Sequence, residues 1–398
     1  MIFSLQNNIK SNKYPSRDYW PTIDWLTSTP EEQGMNSTKL NEVIDYIKTG
    51  EYDIDSVVVI RNGYIVLEEY FNQSNSDQDS LHFLASVTKS FTSTLIGVAI
   101  QEGFIESVSQ KVVHFFPDRE IANLDARKQN MTLEHLLTMT AGFNWSEWDF
   151  SYSDPRNSFY QMYYSEDPVQ FVLDLPMAYE PGKVWTYNTG ASQLLSAIIT
   201  KATNQSALDF ANECLYGDLG IADVHWERDS QGVYYGGFAL YLKARDMAKL
   251  GYLFLNNGTW DSEQIISPEW VVNSTRTAYH LSTEDGYGYH WWTFPNQGIF
   301  CARGSYGQSI FVVPERDIIV VFTAYIQSGF DPEEKLFFDY ILPAVLPQAN
   351  PSTGYPTTPS ESYNSTNATS FGWIVVVSVF VVSGALKRKR QDKSIKNL

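Results

Sequence analysis

A serine and a lysine three residues apart, Ser86 and Lys89, form the single Ser-x-x-Lys motif of the 398-residue sequence. Apolar residues from Phe91 to Ala99 follow at helical spacing, so the motif opens a predicted helix. Residues i and i+3 share one helix face, which brings the amine beside the hydroxyl. A serine becomes nucleophilic when a neighbouring base removes its proton, and a lysine with a pKa lowered by burial can do so. The motif therefore predicts nucleophilic catalysis, with a helix cap and a surface lysine as the alternative.

Further motifs surround the serine in a defined order. They are TPEEQGMNSTKLNEVIDYI and SVVVIRNGYIVLEEYF before it, and MTLEHLLTMTAGF, EPGKVWTYNTGASQLL, YGYHWW and ARGSYGQSIFVVP after it. In this order and spacing the chain resembles the serine β-lactamase-related family, which comprises class C β-lactamases, D-alanyl-D-alanine peptidases and related esterases and amide hydrolases. It resembles in particular the branch similar to 6-aminohexanoate-dimer hydrolase. The resemblance covers about Pro21 to Pro347, and Ser-x-x-Lys is among the motifs of the family.

The resemblance implies catalytic roles for Ser86, Lys89 and Tyr187, with the tyrosine moving protons between the nucleophile and the leaving group. A phenol beside a lysine ammonium is expected to have a lowered pKa, which suits that role. The Tyr-x-Asn element of the family corresponds here to Tyr187-Asn188-Thr189, so a threonine stands at the usual asparagine position. Either Thr189 or Asn188 is expected to hydrogen-bond near Ser86.

The Lys-Thr-Gly motif of the family has its counterpart in Ala302-Arg303-Gly304-Ser305, on a strand expected beside the site. Gly304 lets the backbone approach a ligand closely. The resemblance implies that the backbone amides of Ser86 and Ser305 form an oxyanion hole. Ala302 takes the position of the lysine. Arg303 is the candidate replacement, although regular strand alternation directs it to the opposite face.

Two other stretches are candidates for binding a substrate. Residues 144–165 combine many aromatic residues with turn residues. They predict either a wall of an acyl pocket that includes Trp145 or a loop packed on the helical region. The segment Tyr287–Trp292 predicts a strand, and His290 within it is either structural or directed into the cleft. No group of Cys and His has metal-ligand spacing, so no metal and no other cofactor is expected.

Composition limits the partners and the fold. The net charge of −18 argues against nucleic acid as a partner. The resemblance implies a small-molecule ester or amide as the partner. Alternating segments around Asn62-Gly63 and at 309–324 predict strands at both ends of the chain, with mostly helical patterns from 86 to 275. The expected fold class is α+β, of the β-lactamase/transpeptidase type implied by the resemblance. It consists of an antiparallel sheet with flanking terminal helices and an inserted mostly helical region.

The composition changes after Leu346, and the chain is accordingly divided into five parts. They are an N-terminal extension (1–20), a β-lactamase-related serine hydrolase domain (21–346; sheet part about 21–85 and 280–346, helical part about 86–279), a Pro/Ser/Thr-rich stalk (347–369), a transmembrane helix (370–386) and a basic cytoplasmic tail (387–398). Phe371 to Leu386 is uncharged and is followed by the basic cluster Lys387–Arg390. Its sixteen residues would span about 24 Å as a helix, and adding Ala368 to Ser370 brings the length to about 28 Å, close to the about 30 Å of hydrocarbon. A single-pass C-terminal membrane anchor with an extracytoplasmic catalytic domain is therefore expected.

Together these features predict a membrane-anchored serine hydrolase that forms an acyl-enzyme on small esters or amides. D-Ala-D-Ala peptidase or β-lactamase-type activity is the alternative within the same chemistry. A non-catalytic surface binding module with the same fold is the alternative from another class.

Overall fold

The computed structural model describes residues 17–50, 52–71, 76–326 and 332–346. The helices are α1 (Ser37–Lys48), α2 (Thr88–Gln101), α3 (Ala126–Asn130), α4 (Leu133–Leu137), α5 (Ser158–Tyr163), α6 (Pro168–Asp174), α7 (Thr189–Thr203), α8 (Ala207–Ala211), α9 (Gly217–Leu219), α10 (Ala244–Leu255), α11 (Pro268–Thr275) and α12 (Pro332–Leu336). The strands are β1 (Ile54–Arg61), β2 (Tyr64–Tyr70), β3 (His82–Phe83), β4 (His225–Trp226), β5 (Leu240–Leu242), β6 (Thr259–Trp260), β7 (Glu263–Gln264), β8 (Tyr279–His280), β9 (Gly286–Tyr287), β10 (Trp292–Phe294), β11 (Ile299–Gly304), β12 (Gln308–Val313) and β13 (Ile318–Ala324).

An antiparallel sheet joins the two ends of the domain in the order β2-β1-β13-β12-β11-β10-β9-β8. The hairpin of β1 and β2 turns at Asn62-Gly63, where both residues have positive φ, 53° and 88°. A two-residue turn of this kind matches the twist of the strands it connects. Because β13 pairs with β1, the first and last strand segments lie side by side, and the helical region between them is an insertion.

Alternate residues of the central strands face two separate cores. Val58 and Ile60 belong to the core shared with the helical region, whereas Val57 and Val59 belong to the core beneath α1 and the C-terminal helical segment. On the first face α10 lies close to the sheet through Gly251, where an added Cβ would be 3.0 Å from the Ile319 side chain. This arrangement confirms the predicted α+β architecture of sheet, terminal helices and inserted helical region.

Helix α2 is the central helix of the inserted region. It packs against α7 and is buried from its first residue to Ala99. Three of its hydroxyl side chains donate to loop carbonyls at 2.7 Å: Ser90 to His290, Thr92 to Gly236 and Ser93 to Tyr289. These buried polar contacts fix the loops on both sides of α2 relative to the helix that follows the candidate nucleophile.

The strand predicted at Tyr287–Trp292 is interrupted. β9 ends at Tyr287 and β10 begins at Trp292. Between them His290 adopts φ 61°, a left-handed conformation that ends regular strand geometry. The two cysteines of the chain, Cys214 and Cys301, are both free.

The predicted transmembrane helix at 370–386 and stalk at 347–369 lie outside the described residues. Within the described part of the chain, no helix is both long and apolar enough to cross a membrane. The fold-class prediction is therefore wrong in its membrane helix, and the predicted membrane localisation is wrong with it. The longest described α-helix, α7, has 15 residues, fewer than the about 20 that a span requires.

Candidate active site

Ser86 lies in a one-turn helix, Ala85–Val87, between strand β3 and helix α2. Ala85 has φ 45°, a left-handed conformation that costs about 1–3 kcal/mol when the residue is not glycine. The Thr88 hydroxyl donates to the Ala85 carbonyl at 2.7 Å and so holds the turn. The turn leaves Ser86 partly exposed, while the residues on both sides of it are buried.

Lys89 is the immediate partner of the serine. Its Nζ donates to Ser86 Oγ at 3.0 Å and to the Gly237 carbonyl at 2.9 Å. The side chain is 2% exposed, and this burial lowers the pKa of Lys89 to about 8, while the carboxylate of Glu147 acts in the opposite direction. The amine is thus poised to exchange a proton near neutral pH, as a base for a serine must.

Tyr187 completes the predicted trio. Lys89 Nζ lies 4.8 Å from the centre of the Tyr187 ring. Burial raises the pKa of Tyr187 well above its usual range, Glu147 raises it further, and a hydrogen bond with Ser86 lowers it in part. The expected lowering of this pKa by Lys89 is therefore wrong, because loss of hydration disfavours the phenolate. Tyr187 is a neutral phenol in this site.

Glu147 is a charged group of the site that the sequence motifs did not indicate. It is 2% exposed, and its carboxylate accepts four hydrogen bonds. Oε2 accepts from Trp145 Nε1 at 2.9 Å and from Thr189 N at 2.8 Å. Oε1 accepts from the hydroxyls of Thr189 at 2.7 Å and Tyr152 at 2.9 Å. Because Thr189 N belongs to the first turn of α7, the anion also benefits from the positive end of that helix.

Asn188 and Thr189 have roles other than the predicted contact near Ser86. The Asn188 side chain accepts from Ala191 N at 3.0 Å and caps α7. Asparagine in extended backbone before a helix satisfies free amides in this way. With Thr189 bound to Glu147, the second contact of Lys89 comes instead from a backbone carbonyl, that of Gly237.

Trp145 does not line a pocket, because it is only 7% exposed and its indole is directed to Glu147. The accessible ring of this loop is Trp148, which is 45% exposed. It stacks on Tyr187 with ring centroids 4.7 Å apart and an interplanar angle of 18°. Trp292 stacks on the same tyrosine at 6.2 Å, and Trp185 lies 5.6 Å from Trp148. We call Trp148, Trp185, Tyr187 and Trp292 the aromatic wall.

His290 is structural rather than directed into the cleft. It is 2% exposed, and its Nδ1 lies 2.9 Å from the Leu137 carbonyl. A carbonyl can only accept, so Nδ1 carries the proton and Nε2 accepts from the Ser192 hydroxyl at 2.9 Å. Burial and the nearby charge of Lys89 lower the pKa of His290 to about 3, so the ring is neutral.

The segment Ala302–Ser305 passes beside the serine. Ala302 is fully buried, whereas Arg303 leaves the opposite face of the strand, pairs with Glu334 of α12 at 2.8 Å and lies 6.0 Å from the centre of the Trp292 ring at the edge of the site. This outcome follows the expected strand alternation. A Cβ added to Gly304 would lie 2.9 Å from Ser86 N. The amides of Ser86 and Ser305 are therefore on neighbouring stretches of backbone.

Known proteins share this fold and the order of these motifs. The family described as Beta-lactamase matches residues 46–338, more than half of the chain. A 6-aminohexanoate-dimer hydrolase from Paenarthrobacter ureafaciens is 24% identical over an alignment of 304 residues, and the match covers 71% of this chain and 74% of that protein. Among solved structures, a Bacillus anthracis protein assigned as a 6-aminohexanoate-dimer hydrolase is similar with a TM-score of 0.68 and 21% identity, covering 83% of this chain and 90% of that one. The structure of EstCE1, a hydrolase with promiscuous acyltransferase activity, is similar with a TM-score of 0.62 and 16% identity, and the match covers 73% of this chain and 93% of that one.

Proposed function

Because the chain belongs to the beta-lactamase family and is a serine hydrolase of ester or amide bonds, we propose that it forms an acyl-enzyme on Ser86 with small esters or amides. Lys89 is the base, Tyr187 relays protons, and the amides of Ser86 and Ser305 bind the oxyanion. The observation that carries the proposal is the 3.0 Å contact between Ser86 Oγ and a buried amine whose pKa is close to neutrality.

Acylation requires neutral Lys89. The amine takes the proton of Ser86 as Oγ bonds to the substrate carbonyl carbon, and the carbonyl oxygen becomes an anion between two backbone amides. Tyr187 then gives its hydroxyl proton to the leaving oxygen or nitrogen and recovers one from the Lys89 ammonium. The bond to the leaving group breaks, an alcohol or amine departs, and the acyl group remains on Ser86.

Deacylation reverses these transfers. A water molecule attacks the acyl carbon, and its proton passes through Tyr187 to Lys89. The bond between the acyl carbon and Oγ then breaks, and Ser86 regains the proton from Lys89 as the acid is released. A neutral Tyr187 suits both directions, because it donates and accepts through one hydroxyl without forming a buried phenolate.

Simple esters and amides are favoured over β-lactams and D-Ala-D-Ala peptides by the strand beside the site. Ala302 offers no charge at the position of the family lysine, and it is fully buried. The Arg303 guanidinium is held by Glu334 at 2.8 Å. A substrate carboxylate thus lacks a charge-assisted hydrogen bond worth about 1.5–3 kcal/mol. Restoring the lysine with Ala302→Lys would not test this preference, because Ala302 is fully buried and the new amine would lie in the core.

Intact-mass spectrometry with a fluorophosphonate tests the assignment of the nucleophile. Wild-type protein should gain one adduct, and peptide mapping should locate it on Ser86. Ser86→Ala should lose both the adduct and ester turnover, whereas Ser107→Ala, which removes an exposed hydroxyl beyond the end of α2, should retain both. Labelling or turnover at wild-type levels in Ser86→Ala would refute the proposal.

A further inference from the structure

We propose that the aromatic wall selects substrates with a planar aromatic leaving group, which stacks on Trp148. The inference rests on the proposed function, because it assigns the leaving-group side of the same site. It names a substrate class, namely aryl esters and aryl amides, and a residue that determines specificity.

The position of Trp148 relative to the reacting atoms supports this assignment. One face of its ring is stacked on Tyr187 at 4.7 Å, yet 45% of the residue remains exposed. Tyr187 in turn lies beside the reacting pair, because Lys89 Nζ, which donates to Ser86 Oγ, is 4.8 Å from the centre of the Tyr187 ring. A leaving atom that receives the Tyr187 proton must lie beside that hydroxyl, so the group attached to this atom is next to Trp148.

The orientation of the rings favours a flat ligand. Trp148 lies within 18° of parallel to Tyr187 and within 11° of parallel to Trp292. A planar group that stacks on Trp148 would continue this parallel arrangement, and offset stacking of aromatic rings is favourable beyond the area it buries. A compact aliphatic leaving group gains only part of this contact.

Trp148 is held in place from within the protein. Its indole lies beside Tyr152, whose hydroxyl donates to Glu147 Oε1 at 2.9 Å. Glu147 is anchored to the first turn of α7 through Thr189, two residues after Tyr187. The ring is thus preorganised, so a ligand that stacks on it pays little to order it.

A pair of acetates tests the proposal. In 2-naphthyl acetate and hexafluoroisopropyl acetate the acyl group is the same and the leaving alcohols have similar acidity, so the ratio of their kcat/KM values reports on contacts of the leaving group. Trp148→Ala should lower kcat/KM for the naphthyl ester by about 10-fold or more, with less than about a 3-fold change for the compact ester. Trp148→Phe keeps a ring and should preserve part of the preference.

Controls separate this inference from the proposed function. Tyr164→Ala removes a 62% exposed ring from the same aromatic segment and should leave the ratio unchanged. Tyr152→Phe removes the hydroxyl between Trp148 and Glu147, and should raise KM for the naphthyl ester more than for the compact ester. An unchanged ratio in Trp148→Ala, or an equal loss for both esters, overturns the inference. Failure of the proposed function would appear instead as turnover that survives Ser86→Ala.

Discussion

The pH dependence of acylation is a direct consequence of the buried amine, and Glu147→Gln is the substitution that should move it. Lys89 must be neutral to take the Ser86 proton, so kcat/KM for an uncharged ester should fall as the pH drops through about 8, the pKa that burial gives Lys89. The carboxylate of Glu147 favours the charged amine. Removing that charge should lower the pKa of Lys89 and move the midpoint to a lower pH.

The size of the effect follows from the fraction of neutral amine. With a pKa of about 8, about one quarter of Lys89 is neutral at pH 7.5, whereas an ordinary lysine would be about 0.1% neutral. Burial therefore raises the reactive fraction about 200-fold. If Glu147→Gln lowers the pKa by one unit, the neutral fraction at pH 7.5 rises to about three quarters.

The assay is kcat/KM for an uncharged ester between pH 5.5 and 10, corrected for spontaneous hydrolysis. The maximum rate of Glu147→Gln should itself fall, because an amide cannot accept all four hydrogen bonds, so the midpoint and not the maximum is the measured quantity. Glu227→Gln is the matched control, since Glu227 also accepts from a tyrosine, Tyr241 at 2.9 Å. A midpoint in Glu147→Gln that stays at the wild-type pH or rises would contradict this account of Lys89.

Two further substitutions have definite expected outcomes. Lys89→Met should abolish turnover yet raise the free energy of unfolding at pH 7 by about 3 kcal/mol in urea titrations, because the unfolded chain binds the lysine proton more tightly than the folded one. This stabilisation should vanish above about pH 10.5, where Lys89 is neutral in both states, and a variant destabilised at pH 7 would contradict it. Glu334→Ala should release Arg303 and raise kcat/KM about 10-fold for esters that carry a carboxylate, without a comparable gain for uncharged esters; an equal change for both would show that Arg303 does not reach the substrate.

Local motifs made the candidate catalytic residues predictable from the sequence. Ser86 and Lys89 are three residues apart on a predicted helix, so their contact required only helical geometry. The hairpin at Asn62-Gly63 was predictable for the same reason, because two neighbouring residues determine the turn. The position of Tyr187 beside Ser86 and Lys89 was predictable only from the order of the family motifs along the chain. That order reflects the whole fold and not local spacing.

The features that the sequence did not reveal depend on contacts between distant segments. Glu147 is placed by Thr189, more than forty residues away, and its one sequence signal is a carboxylate between two tryptophans. An irregular loop has no periodic pattern of burial, so the sequence does not show that Trp145 is buried and Trp148 is the exposed ring. The pKa of Tyr187 depends on depth of burial, a quantity that the sequence does not contain.

The neutral ring of His290 has a consequence for how this enzyme can diversify. The His290 carbonyl accepts a hydrogen bond from the Ser90 hydroxyl of α2, and Nε2 of the ring accepts one from the Ser192 hydroxyl of α7. Since the pKa of the ring is lowered to about 3, acidification within the physiological range leaves this tether intact. The proposed catalytic groups therefore lie on helices that His290 holds together, whereas Trp148 belongs to a connecting loop. Mutations in that loop can give rise to new substrate preferences while the proton-transfer apparatus is inherited unchanged.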